Sequence, residues 1–175
     1  MNKIFEKLTN QLTETIDSSV ALALHNKNQE VEVIHLLWAL LSNTNSVLNQ
    51  LLNKMNVNKV AVELEAKSYA SKLPSVSSVT KESIKLSRNL LSSLQNAEGL
   101  MASFGDKFIA VDTWLISNLD SSVIKDVLGK YVDLKEAKKE LEAMRAGKTI
   151  DSNSGDENLE ALNKYGIDLN KKAID

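Results

Sequence analysis

The first sustained apolar rhythm runs through Leu12, Ile16, Val20, Ala23 and Leu24. Steps of three and four residues place these side chains on one stripe of a helix, so the spacing predicts a helix with one buried face. Thr9 stands just ahead. Its hydroxyl can accept from an unpaired N–H of the first turn, which makes Thr9 the expected N-cap. Asn26 to Asn28 break the pattern. Ile34 to Leu41 is then apolar nearly all round. A buried strand would fit such a run, but its Leu and Ala content favours a short helix enclosed on most sides. A third helix carries Val47, Leu48, Leu51, Leu52 and Met55, and a fourth, capped at Asn56, carries Val57, Val60, Leu64 and Tyr69. Leu73-Pro74-Ser75-Val76-Ser77-Ser78 follows as a linker, because proline disfavours helix before it and serine competes for backbone bonds.

Beyond that linker the pattern recurs. Ser46-Val47-Leu48 through Lys54 matches Ser122-Val123-Ile124 through Lys130, Met55-Asn56-Val57 matches Val132-Asp133-Leu134, and Glu63-Leu64-Glu65-Ala66 matches Glu140-Leu141-Glu142-Ala143. Trp38 lies close to the position matched by Trp114. An offset of about 76–77 residues marks an internal duplication. Each half reads as a long helix followed by three shorter ones. One half alone would leave apolar faces in water, and two packed together bury them. The predicted fold is therefore all-α: two tandem four-helix repeats over residues 1–73 and 80–147, joined by a linker at 74–79. Arg145-Ala146-Gly147 ends the second repeat with a basic last turn and a glycine. Residues 148–175 then read as a flexible linker and the start of a further segment. Thr149 to Asp156 is polar and expected to be mobile, and Glu157 to Tyr165 forms a short amphipathic helix.

Composition narrows the function. The 175 residues carry 21 Lys plus Arg against 23 Asp plus Glu, a net charge of −2. That balance argues against nucleic acid or an anionic membrane as the main partner. The absence of Cys removes disulfides, thiolate metal sites and a cysteine nucleophile. The N-terminus turns polar too soon for a signal peptide, and no apolar run is long enough to span a bilayer. One Pro and 6 Gly favour long helices.

Catalytic motifs are missing. The sequence has no GxxxxGK[ST] loop, no GxSxG elbow and no HExxH pair. His25 falls at the end of the first helix, where a cation opposes the negative dipole end. His35 sits inside an apolar helix, where a hydrogen-bonded structural imidazole is the common role, and a metal site would need three or four clustered ligands. The fragment is accordingly expected to be neither an enzyme nor a holder of metal or cofactor. What remains is surface: Leu94, Leu100, Met101 and Phe104 flank Gly99, read here as a helix break. They are either ordinary core or an apolar groove that holds extended peptide.

Several of these segments resemble the Clp N-terminal repeat family. They are Leu8-Thr9-Asn10, His35 to Leu41, and Gly105-Asp106-Lys107-Phe108-Ile109. The tail, Ala143 to Lys148 with Ala161 to Leu169, is similar to the junction that leads into the first ATPase module of ClpB-type (Hsp100) disaggregases. The resemblance implies a pseudo-twofold pair of four-helix repeats. It implies a mobile domain that engages unfolded or aggregated clients for a homohexameric AAA+ ring. That ring, not this fragment, would use ATP and Mg, in the cytoplasm and with an Hsp70-type system, for refolding after stress; the fragment itself would be a monomer. Client-handling positions carried over from the family fall on Thr9, Asp106 and Asp112, with Asp112 standing where Glu is familiar. Leu100 matches one groove leucine, whereas Asn96 and Thr113 fall where apolar residues are usual. The alternative is an adaptor-docking module of a Clp protease ATPase.

Overall fold

A computed structural model describes residues 3–145 and 148–155. A 3-10 turn at Lys3–Lys7 precedes α1 (Asn10–His25), β1 (Glu30–Val31), α2 (Val33–Ser42), α3 (Val47–Lys54) and α4 (Lys59–Ser71). The second half holds β2 (Lys85–Leu86), α5 (Arg88–Phe104), α6 (Val111–Asn118), α7 (Ser122–Val127) and α8 (Leu134–Arg145). The expected all-α double repeat is thus observed, with one long helix leading each half. The helix expected at Glu157 to Tyr165 and the closing Gly147 lie outside the described residues.

The two repeats are tied by a reciprocal exchange. Leu8, ahead of α1, bridges in parallel to Ile109, ahead of α6, while β1, ahead of α2, pairs in parallel with β2, ahead of α5. Leu86 lies 78 positions after Leu8, and Ile109 lies 78 after Val31. Exchanging the halves therefore converts one bridge into the other, as a pseudo-twofold axis requires. The caps repeat too: Leu12 N–H donates to Thr9 Oγ1 at 3.2 Å, and Leu90 N–H donates to Ser87 Oγ at 3.0 Å. So do the turns after the long helices, where Lys27 and Gly105 both adopt positive φ, 58° and 77°. Glycine suits that turn, and Lys27 accepts the strain of a side chain there.

α2 is the hub of the core, packing on α1, α4, α3, α7 and α5, and all residues from Val33 to Leu41 are buried. This explains its apolar circumference. The fully buried Trp114 of α6 donates from Nε1 to Ser93 Oγ of α5 at 2.9 Å, so its polar atom is satisfied.

Four expectations change. α5 passes straight through Gly99, which is no break. The cap of α4 is Asn58, whose Oδ1 accepts from the N–H groups of Val60 and Ala61; Asn56 instead takes a positive φ of 56° after α3. The last helices align differently from the sequence match, because Asp133 caps α8 through the N–H groups of Lys135 and Glu136, as Asn58 caps α4. Val62, Ala66 and Ala70 are then equivalent to Ala137, Leu141 and Arg145, all buried, whereas Leu64, matched to Leu141 by sequence, is 59% exposed. Sequence likeness followed the Glu-Leu-Glu-Ala string, while burial follows the caps. Finally, the described part of the segment after α8 is docked, not free. Ile150 is 1% exposed and packs with Ala110 and Phe108. Lys107 N–H donates to its carbonyl at 2.8 Å, and Asn10 N–H donates to Asn153 O at 2.6 Å. One apolar residue and the backbone bonds beside it anchor this polar stretch.

Candidate functional site at the α5–α6–α8 junction

Asp106 follows the left-handed Gly105, and Asp112 lies in the first turn of α6. Both are buried, and both face Arg145 at the end of α8. The Arg145 Nη1 donates to Asp106 Oδ2 in a short contact. Its Nε donates to Asp112 Oδ2 at 2.9 Å, and its Nη2 donates to Asp112 Oδ1 at 2.5 Å, a bidentate fork. Nη2 also donates to Thr113 Oγ1 at 3.0 Å. The free oxygen of Asp106 is used as well, accepting from Ile150 N–H at 2.8 Å. Burial alone would push the Arg145 guanidinium down. The hydrogen bonds and charges of Asp112, then Asp106, outweigh this and hold it above its ordinary value. The Phe104 ring lies 5.1 Å from the guanidinium carbon, within cation–π range.

The residues brought forward from the sequence thus behave differently from one another. Asp106 and Asp112 form one cluster. Thr9 is buried, caps α1 and ties its own N–H to Ile109 O at 3.0 Å, two residues before α6. Leu100 is half-buried on α5, and Phe104 likewise. Leu94 and Met101 are core. The fully buried Thr113 accepts from Arg145, and Asn96 Nδ2 donates to Asn118 Oδ1 at 3.2 Å. In the sequence, Arg145 stands out only as a basic last turn. The signal that could have found it is its spacing: it continues the buried stripe of Ala137 and Leu141 at i+4. Above the cluster lies a cleft of about 140 Å³ lined by Phe104, Ile116, Glu142, Arg145 and Lys148. It offers an apolar floor with charge of both signs at its edge, suited to holding a side chain. Among the described residues, no group of three or more His, Asp or Glu is placed to hold a metal, and no helix is long and apolar enough to cross a membrane.

The described residues thus form two packed helical repeats with a buried ionic cluster under a shallow cleft, the architecture of an all-α double-repeat domain. The family model for the Clp repeat (R) N-terminal domain matches residues 7–131, and the chain belongs to that family. It is 56% identical over 171 residues to the chaperone protein ClpB of Wolinella succinogenes and 52% identical over 172 residues to that of Helicobacter hepaticus, in each case across 98% of this chain. The chain spans about a fifth (20%) of the length of those relatives. Among solved structures, the Hsp104 N-terminal domain of Candida albicans superposes with a TM-score of 0.77 at 22% identity, covering 86% of this chain and 99% of that one. A ClpV N-domain solved in complex with a VipB peptide gives 0.64 at 18% identity, covering 83% and 91%.

Proposed function

We propose that this chain is the client-binding N-terminal domain of an ATP-dependent ClpB-type disaggregase. It engages unfolded or aggregated protein in the cytoplasm and presents it to a hexameric AAA+ ring, which uses ATP and Mg and works with an Hsp70-type system. The observation that carries this reading is the near-complete alignment with ClpB relatives. Contact with a client falls to the half-buried Leu100 and Phe104 and to Glu142 and Lys148 at the cleft edge. Asp106 and Asp112 serve from beneath, by fixing Arg145 under Phe104, and Thr9 serves by holding the start of α1 to the segment before α6. A cleft this small buries little area, so binding is weak and clients exchange readily.

The test is a titration of isotope-labelled protein with reduced, carboxymethylated α-lactalbumin, which stays unfolded. Shifts are expected at Leu100, Phe104 and Glu142, and F104A should weaken them. Shifts elsewhere, or none, would overturn the assignment of the cleft. The second reading is adaptor docking, favoured by the fold likeness to a ClpV N-domain that carries a VipB peptide. It requires tight binding of a folded partner together with silence toward the unfolded one.

A further inference from the structure

A second cleft lies on the other side of Ile116, between α6, α7 and α8, with a volume of about 390 Å³. This falls within the size range of roughly 300–1,000 Å³ common for ligand clefts. Its floor is apolar, formed by Ile116, Leu119 and Leu134. Its rim carries Lys125, Lys135 and Lys138 against one acid, Asp120. None of these three lysines forms an ion pair among the described residues; on α8 it is Lys139 that reaches Glu136, at 3.7 Å. The helix as a whole carries four cations against three acids, with Lys135 and Lys138 on its cleft-facing edge. The rim is also peculiar to the second repeat, because the shared caps make Val60 and Glu63 the counterparts of Lys135 and Lys138.

We propose that this cleft docks an acidic, amphipathic segment of a partner protein. Leucine-type side chains would fill the floor, and carboxylates would reach Lys135 and Lys138. Charge complementarity selects the partner: a chain of net charge −2 presents here three cations around apolar atoms. Polyphosphates would leave the apolar floor unused. The site adjoins the Phe104 cleft, sharing Ile116 with it, and does not depend on the client-binding reading.

The test uses a fluorescein-labelled Leu/Glu peptide, a Leu/Lys peptide of equal length, and polyglutamate, with methyl-labelled protein. The Leu/Glu peptide should shift the Leu119 and Leu134 methyls, and its affinity should fall as salt rises. K135E/K138E, at exposed positions, should weaken it about tenfold, or 1.4 kcal/mol, and L134A should weaken it with the charges intact. Binding of the Leu/Lys peptide or of polyglutamate as tight as that of the Leu/Glu peptide would overturn the proposal. So would no binding, or shifts centred on Leu100 and Phe104.

Discussion

The turn after α1 and the turn after α5 share a backbone and differ in electrostatics. Asn28 and Asp106 are equivalent, each following a left-handed residue and each donating its N–H back into its helix, to Ala23 O at 2.9 Å and Met101 O at 3.0 Å. In the first repeat the buried partner is neutral. His35 Nδ1 accepts from Glu32 N–H at 2.8 Å, so the proton sits on Nε2, which donates to Asn28 Oδ1 at 2.9 Å. Asn28 Nδ2 donates to Pro74 O at 3.0 Å, holding the linker after α4. In the second repeat, Asp106 holds the segment after α8 through Ile150 N–H, and the partner is a guanidinium shared with Asp112. Duplication thus kept the latch and changed its chemistry. The neutral version is cheap to bury. The charged version is stable only while every partner is in place.

The largest effect should come from breaking the charged latch. Arg145→Met leaves two buried carboxylates uncompensated and should cost roughly 3–5 kcal/mol in urea unfolding. A loss under about 1 kcal/mol would mean that the cluster is solvated.

The neutral latch is tested by acid. Burial lowers the pKa of His35 from 6.5 to about 4. Its proton would have to enter at Nδ1, which already faces the Glu32 N–H. The unfolded chain therefore takes up a proton below about pH 6.5, while the folded chain does not until about pH 4. Stability attributable to His35 is complete above pH 6.5 and declines toward pH 4, by up to roughly 3 kcal/mol. Denaturant midpoints across that window should fall, and His35→Gln should flatten the fall.

Smaller effects sharpen the symmetric part of the comparison. Thr9→Ala and Ser87→Ala remove equivalent caps and should each cost about 1 kcal/mol by thermal unfolding. A much larger loss of client binding than of stability in Thr9→Ala would give Thr9 a second role. Smallest of all, Ile150→Ser should speed hydrogen exchange at Lys107 and Ile150 while leaving the global midpoint nearly unchanged.

Helix order and the duplication were legible because period and caps are local signals. Thr9, Pro74 and the α2 run each announced themselves. The register of α8 against α4 was not legible, since Leu64 and Leu141 sit in matching strings but on opposite sides of the surface. Asp106 and Asp112 stood out through family likeness, yet their common partner is 39 and 33 residues away and on another helix. No local pattern pairs them. The docking of Ile150 was hidden for the same reason, because a polar segment is fixed by one side chain and a distant carboxylate.

The central claim is that Asp106 and Asp112 are the buried counterions of Arg145. A double-mutant cycle in urea with Arg145→Met and Asp112→Leu tests it most directly. The double variant should lose less than the sum of the two single losses, because with Asp112 already gone Arg145→Met strands Asp106 alone and not two carboxylates. Losses that simply add would contradict it.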